Sequence, residues 1–235
     1  YDAGYETNIY DPTKTYRPQK WKGDRDTSVA HTRKVVYLKP SHVLLVDEIK
    51  AVGHHVYDAH FHMDAPAAKL DLKTQVVLSQ RIDSVQLAIY PLQLENLKTE
   101  IIQGQKDPLL GWMPTEHRAI PTTRFRKAQT GDATFVTLLR PFKGNQPTVK
   151  TKQIKIKEKS VLGYTVSENG TDTEVLVAGG KAPSNFSFHS ELAGKTKVKA
   201  SGLVLIRGKD QALLKLGGWN LSEYSGGKTA FITSL

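Results

Sequence analysis

Hydrophobic and polar residues alternate along residues 57–64, in the middle of a segment that we predict to be a strand over 54–64. Successive side chains of a β-strand point to opposite faces, so strict alternation is typical of a strand with one buried face. The apolar face comprises Tyr57, Ala59, Phe61 and Met63, and the polar face comprises Asp58, His60, His62 and Asp64.

Two nearby segments, residues 34–38 and 43–46, instead carry apolar side chains at successive positions. A strand that is apolar on both faces is usually covered on both sides. These segments therefore predict an architecture thicker than a minimal sandwich of two sheets. Asp47-Glu48 directly follows the second segment, and we interpret it as a pair at a strand end rather than as a catalytic dyad.

Short segments rich in Val, Ile, Leu, Tyr and Thr recur along the whole chain and are separated by turn residues such as Asn169-Gly170. We predict strands at residues 32–38, 42–50, 54–64, 74–80, 84–90, 98–103, 122–129, 133–139, 153–157, 161–167, 174–178, 186–190, 203–207, 211–215 and 228–233. No long window shows sustained helical periodicity. The sequence therefore predicts an all-β fold, a layered antiparallel β-sandwich with few or no helices.

The sequence changes character near residue 145, where a loop precedes strands that are smaller and more polar. We predict one β-sandwich domain over residues 1–144, with further strands over 145–235 that complete it or are appended to it. Five lysines follow the loop: Lys150, Lys152, Lys155, Lys157 and Lys159. Their strand phase changes partway, which predicts a bulge near Gln153. A solvated strand face is the favoured interpretation of these lysines, and a ligand-binding strip is the alternative.

The chain of 235 residues carries 33 Lys and Arg against 23 Asp and Glu, which gives a net charge of +10. Such a charge favours polyanionic partners, namely nucleic acid or acidic polysaccharide. The sequence shows no aromatic RNA-binding motif and no basic helix, so nucleic acid is not expected. The apolar runs are far too short to span a membrane. The absence of cysteine excludes disulfides and a cysteine nucleophile.

Candidate chemistry is sparse when the residues are considered alone. His60 and His62 share one strand face, which is a conceivable metal or substrate site, but a polar solvated face is the favoured interpretation. The sequence contains no nucleophile elbow, zinc-protease motif or phosphate-binding loop. The first residues show no signal peptide, and we expect the chain to be a piece of a longer protein.

An ordered set of short segments nevertheless points to a known family. The set consists of Asp2-Ala3-Gly4-Tyr5, His31, Val35-Val36-Tyr37, Leu44-Leu45-Val46-Asp47-Glu48-Ile49, Gly53-His54, Phe61-His62-Met63, Gly111-Trp112 and Phe135-Val136-Thr137-Leu138-Leu139-Arg140-Pro141. It resembles the C-terminal β-sheet domain of the heparinase II/III-like polysaccharide lyases, which include alginate lyases. The resemblance covers about residues 1–142.

The resemblance implies an enzyme in which an N-terminal α/α-toroid and this β domain form a cleft for an acidic, uronate-containing glycan. Such enzymes, secreted or periplasmic in bacteria, cleave the glycan by β-elimination. A base removes the proton at C5 of the uronate, and an acid protonates the leaving oxygen. We expect the chain without its toroid to have little or no lyase activity. A non-catalytic module that binds acidic polysaccharide is the alternative, and a purely structural domain is a third.

The resemblance also assigns residues. Asp2 and His31 match two zinc ligands, with the third upstream of residue 1, so we expect a structural zinc site that is incomplete in this chain. Thr32 stands where the family has Asn. Tyr16, and Tyr10 as second choice, match a cleft tyrosine that transfers a proton or positions substrate; packing on the sheet is the alternative. Possible substrate contacts are Trp112, by stacking on a sugar or else by packing in the core, and Arg118, Arg124 and Arg126, by charge.

Overall fold

The structure, a computed structural model, describes residues 28–38, 41–81, 84–157, 161–178, 185–190, 194–199, 204–208 and 211–215, with side chains described up to residue 177. The chain divides into two compact units, Tyr1–Lys143 and Gly144–Leu235. The described residues are all-β and antiparallel and contain no helix, as the sequence predicts. Accordingly, no helix capable of crossing a membrane is found among them.

The first unit contains two main sheets and two short ladders. Its strands are β1 (Val29–Leu38), β2 (His42–Ala51), β3 (His54–His62), β4 (Ala67–Leu70), β5 (Val77–Gln80), β6 (Gln86–Pro91), β7 (Lys98–Ile102), β8 (Gln105–Lys106), β9 (Leu109–Leu110), β10 (Trp112–Met113), β11 (Arg118–Ala119), β12 (Thr122–Thr130) and β13 (Ala133–Phe142). A six-stranded sheet has the order β1-β2-β13-β6-β5-β4, and a three-stranded sheet has the order β3-β12-β7. The ladders pair β8 with β9 and β10 with β11.

The main core joins the inner faces of these two sheets. Its buried residues are Val29, Ile49, Tyr57, Ala59, Met63, Ala65, Val77, Ile89, Phe125, Ala133 and Phe135. They come from β1, β2, β5, β6 and β13 of the larger sheet, from β3 and β12 of the smaller one, and from the loop after β3. Residues at every second position of a strand share a face, which explains why odd-numbered residues dominate. The arrangement is the predicted β-sandwich.

The alternation along residues 57–64 is confirmed, since Tyr57, Ala59 and Met63 are buried while Asp58 is exposed. Residues 44–46 are buried on both faces of β2, as predicted. The prediction of two covered faces is wrong for β1, where Val35 is 60% and Tyr37 is 53% exposed. β1 is an edge strand, and the core cluster includes it only at Val29.

The second unit contains a five-stranded sheet in the order β14-β15-β16-β19-β20 and a hairpin of β17 and β18. The strands are β14 (Val149–Gln153), β15 (Val161–Glu168), β16 (Thr171–Ala178), β17 (Asn185–Ser190), β18 (Gly194–Lys199), β19 (Val204–Gly208) and β20 (Gln211–Lys215). The strand predicted at 153–157 is wrong, because β14 ends at Gln153. Where a bulge is predicted near Gln153, β14 instead ends. The predicted strand 228–233 lies outside the described residues.

Lys127 is a buried cation on the inner face of β12. Its ammonium group donates a hydrogen bond to the backbone oxygen of Thr134 at 2.9 Å and lies 5.4 Å from the ring centroid of Phe135. Burial lowers the pKa of Lys127 below its ordinary value, against a weaker opposing attraction from Glu95. The folded state therefore releases the Lys127 proton at a lower pH than the unfolded state does.

We expect Lys127→Met to change the pH dependence of stability. Between the lowered folded pKa and the ordinary 10.5, the unfolded state binds more protons at Lys127, so this residue makes the free energy of unfolding rise with pH. Burial raises the pKa of Tyr57, so above the ordinary tyrosine pKa of 10.0 this residue makes the free energy of unfolding fall with pH. Wild type and variant share Tyr57, so its effect cancels in their difference. Urea unfolding at several pH values from about 7 to about 10 measures the difference between wild type and variant. A difference that is constant with pH contradicts the expectation.

Candidate functional site

The candidate site centres on Asp47 of β2, which binds two side chains of β1. Nε2 of His31 lies 2.7 Å from Oδ1 of Asp47. Arg33 donates from Nε to Oδ1 at 2.6 Å and from Nη2 to Oδ2 at 3.1 Å, which makes a two-point ion pair. The Asp47 side chain is 3% exposed, whereas those of His31 and Arg33 are 31% and 49% exposed. A buried carboxylate thus holds two partly exposed nitrogen groups.

The register of the first hairpin produces this cluster. β1 and β2 are antiparallel, and Arg33 lies directly opposite Asp47 while His31 lies opposite Ile49. All four residues occupy odd-numbered positions and share the inner face of the six-stranded sheet. Ile49 belongs to the main core, so the cluster lies at the margin of that core.

The same inner face continues along β1 beyond the cluster. Val35 and Tyr37 follow Arg33 at alternate positions and are exposed. The row therefore presents an imidazole, a guanidinium group, an aliphatic side chain and a phenol ring in that order. Guanidinium and imidazole groups can bind carboxylate or sulfate oxygens, and an exposed tyrosine can contact a sugar ring.

The polar face of the three-stranded sheet forms a second group of charges. Arg126 makes a two-point ion pair with Asp58 at 2.7 and 2.6 Å. Arg124 binds Glu100 through Nε at 3.1 Å and through Nη2, and Lys98 also binds Glu100. The hydrogen bonds from Lys98 and Arg124 lower the pKa of Glu100 to about 2. The pairs of Arg126 with Asp58 and of Arg124 with Glu100 cross between strands and stabilise the sheet, whereas Lys98 and Glu100 both lie on β7.

His60 and His62 lie on this polar face with ring centroids 6.4 Å apart. His62 Nδ1 is 2.9 Å from the hydroxyl of Thr122, and Nε2 of His60 is 4.0 Å from Asp58. Burial lowers the pKa of His60, against the opposing attraction of Asp58. In the part of the chain that the structure describes, no three His, Asp or Glu side chains come close enough to hold a metal ion.

Trp112 of β10 and Arg118 of β11 lie in the connection between β7 and β12. The indole N–H of half-buried Trp112 donates to the backbone oxygen of Gln105 at 2.8 Å. Gly111 has φ +79°, and a Cβ there would lie 2.7 Å from the backbone oxygen of Ile102, so the loop requires glycine at this position. Arg118 forms ion pairs with Glu116 and with Asp64, the residue two beyond the end of β3.

The structure thus separates the residues that the sequence analysis grouped. His31 shares the face that borders the core, whereas Arg124 and Arg126 lie on the opposite face of the three-stranded sheet from Phe125 and the core. Asp2, Tyr10 and Tyr16 lie outside the described residues. The predicted roles of Trp112, Arg118 and Arg124 in substrate binding stay predictions.

Sequence reasoning missed Arg33 and the role of Asp47. The interpretation of Asp47-Glu48 as a strand-end pair is wrong, because β2 continues to Ala51 and the two side chains face opposite sides. Glu48 instead binds Lys34 of β1 at 2.7 Å. Two features could have indicated the cluster. His31 and Arg33 lie two residues apart on one strand, and the odd-numbered positions of the next strand carry one acid, Asp47, among apolar residues.

His31 fits a zinc ligand in its donor chemistry, because histidines that bind metal usually hold a carboxylate or carbonyl with their other ring nitrogen. Asp47 provides such a carboxylate. One described histidine does not make a zinc site, which needs about four donors. The described residues therefore account for one proposed ligand and its supporting carboxylate.

Comparison with known proteins finds likeness at the level of structure. No protein-family model and no curated protein matches the sequence. Heparan sulfate lyase HepC from Pedobacter heparinus matches with a TM-score of 0.54 at 18% identity, over 69% of this chain and 28% of that chain. A heparinase III structure with methylated lysines matches with a TM-score of 0.52 at 18% identity, over 64% of this chain and 24% of that one.

These matches show a shared fold, that of the heparinase II/III-like β-sheet domain. The chain spans about a quarter of the length of the lyases that it matches. At 18% identity the likeness establishes the fold and does not assign a role to any residue of this chain.

We expect Asp47→Asn to destabilise the chain more than Glu48→Gln does. The first change removes a buried charged acceptor of three hydrogen bonds, an effect of about 1.5–3 kcal/mol. The second removes a partly exposed ion pair, which contributes under about 1 kcal/mol. Urea unfolding of both variants at neutral pH measures the loss. An equal or smaller loss for Asp47→Asn would show that the buried contacts with His31 and Arg33 contribute little.

Proposed function

We propose that this chain is the β-sandwich part of a polysaccharide lyase that cleaves an acidic, uronate-containing glycan by β-elimination. The observation that carries the proposal is the fold that it shares with heparan sulfate lyase over 69% of the chain. The net charge of +10 supports it, because a basic surface concentrates a polyanionic substrate.

The chemistry of β-elimination explains what such a domain must contribute. The proton at C5 of a uronate is weakly acidic, so its removal requires that charge on the adjacent carboxylate be neutralised. We assign this task to Arg33 on the inner face of β1. Arg33 is already oriented by Asp47, so little ordering is needed when the glycan binds. Tyr37, further along the same face, is proposed to contact a sugar ring.

The residues carried over from the family remain part of the proposal. Tyr16, or Tyr10 in second place, is proposed to transfer a proton or position the substrate, and Trp112 to stack on a sugar. Arg118 and Arg124 each bind a carboxylate of the chain itself, so a glycan carboxylate would have to replace Asp64 or Glu100. Arg33 also binds a carboxylate of the chain, that of Asp47. We favour Arg33 as the principal contact because its side chain is 49% exposed, against 37% for Arg118 and 16% for Arg124.

The rest of the enzyme is proposed to be an α/α-toroid that supplies the base and the other wall of the cleft. Its support is the coverage, since the matched lyase chains are about four times as long as the aligned part. A structural zinc ion is proposed to bind His31 and Asp2 together with ligands outside this chain. Bound there, zinc would cross-link segments of the fold and take no part in the elimination.

A second candidate function is a non-catalytic module that binds acidic polysaccharide. It is supported by the lysines that follow the loop at residue 145, since Lys150, Lys155 and Lys157 are all exposed. Under this proposal the glycan binds to the second unit, and the inner face of β1 has no ligand.

We expect the chain alone to release no unsaturated product from heparan sulfate, alginate or hyaluronan. The base is proposed to lie in the toroid, outside this chain, and Arg33 can bind a uronate carboxylate without removing the proton at C5. Ultraviolet absorbance of the unsaturated product measures turnover, with a complete heparan sulfate lyase in the same buffer as the positive control. Sustained turnover by the chain would contradict the assignment of the base to another domain.

A further inference from the structure

His60 and His62 of β3 form an exposed pair of imidazole groups on the polar face of the three-stranded sheet. Their ring centroids lie 6.4 Å apart. His62 Nδ1 lies 2.9 Å from the hydroxyl of Thr122, so a protonated His62 donates from Nδ1 to Thr122 and can donate from Nε2 to a ligand. Arg124 lies directly opposite His60 across β3 and β12. The two imidazoles and the guanidinium group together form a donor set suited to a carboxylate or a sulfate.

The fixed charges of this face are paired with one another. Asp58 binds Arg126, and Glu100 binds both Arg124 and Lys98. The hydrogen bonds from Lys98 and Arg124 hold the pKa of Glu100 at about 2, and the hydrogen bond from Arg126 lowers the pKa of Asp58. Both carboxylates therefore stay ionised in mildly acidic solution. With neutral histidines, the three cations and two anions leave an excess of one positive charge.

The charges beyond the end of β3 are balanced in the same way. Asp64 binds Arg81 and Arg118, and Arg118 also binds Glu116. The hydrogen bond from Arg118 lowers the pKa of Asp64, so this carboxylate also stays ionised. His54 lies on the same face at the other end of β3. Between about pH 7.5 and about pH 5.5, the histidines are therefore the groups of this face whose charge changes.

We propose that protonation of His60 and His62 turns the polar face of the three-stranded sheet into a binding site for an acidic glycan. Charge complementarity supports this ligand, because two protonated rings raise the excess from one positive charge to three while both carboxylates of the face remain paired. Single-stranded nucleic acid is disfavoured, since it is held largely by stacking on aromatic rings and the strands of this face present no Trp, Tyr or Phe there. The site shares with the proposed lyase function only the class of ligand.

The affinity for the glycan should rise as the pH falls. Burial lowers the pKa of His60, against the opposing attraction of Asp58 and with further lowering by His62, Arg124 and Arg126. His60 therefore becomes charged below the ordinary value of 6.5. A polyanion that binds the charged form must in turn raise the pKa of the histidines that contact it, because the coupling between proton and ligand is reciprocal.

The test titrates the histidine rings of the ¹⁵N-labelled chain from about pH 8 to about pH 5, with and without a heparan sulfate hexasaccharide. We expect the hexasaccharide to raise the pKa values of His60 and His62. We also expect the affinity to strengthen between about pH 7.5 and about pH 5.5, and about 2- to 30-fold of this strengthening, the effect of two exposed charge pairs, to disappear in the double variant His60→Gln, His62→Gln.

The double variant His54→Gln, His55→Gln is the matched control, because it removes two imidazoles of the same strand. His54 lies about 20 Å from His60 along β3, well beyond the screening length of about 8 Å at physiological salt. His55 contacts the backbone oxygen of Val52. We expect this control to keep the pH dependence of wild type.

Unchanged pKa values of His60 and His62 with the hexasaccharide, or the same pH dependence in both double variants, would overturn the proposal. Equally strong binding of a single-stranded oligodeoxynucleotide of similar charge would also overturn it, because the face would then not be specific for a glycan. Failure of the proposed lyase function would instead appear as missing shifts on β1 at about pH 7.5, so the two failures are distinguishable.

Discussion

The burial of one face of the three-stranded sheet against part of the six-stranded sheet is the constraint on which the rest of the first unit depends. Phe125 and Tyr57 of the smaller sheet pack among Ile49, Ile89 and Phe135 of the larger one. β1 joins this core only at its first residue, Val29. Everything that follows on the inner face of β1 is therefore at the margin of the core or beyond it, where polar side chains can be partly buried and still meet a ligand.

Asp47 lies at this margin, where its buried carboxylate holds His31 and Arg33. A carboxylate that is nearly removed from water needs hydrogen-bond donors, and the β1–β2 register supplies two side chains that donate to it. The resulting cluster resembles the ion pairs on the polar face of the smaller sheet in composition but differs from them in burial. Those pairs, such as Arg126 with Asp58, reinforce strand pairing at a more exposed surface. The Asp47 cluster holds its partners in one orientation next to exposed Val35 and Tyr37.

The sequence could predict what depends on local periodicity. Alternation identified β3 and its buried face, and the apolar run at 43–46 identified a strand buried on both sides. It could not predict features that depend on how far each element extends in the folded chain. These are the point along β1 at which the smaller sheet no longer covers it, and the end of β14 at Gln153. The pairing of Arg33 with Asp47 likewise requires the register, which the hydrophobic pattern alone does not fix. The resemblance to a lyase family led to His31, and the fold comparison supports the architecture, but neither gave Asp47 a role.

The central claim is that the inner face of β1 meets an acidic glycan. The most direct measurement is a titration of the ¹⁵N-labelled chain with a heparan sulfate oligosaccharide, monitored by the backbone amide signals. The account predicts that salt-sensitive shifts concentrate at His31, Arg33 and Tyr37 and at their neighbours on β2. Shifts confined to Lys150, Lys155 and Lys157, or to Arg124 and His60 on the polar face, would contradict it, as would the absence of any shift at low ionic strength.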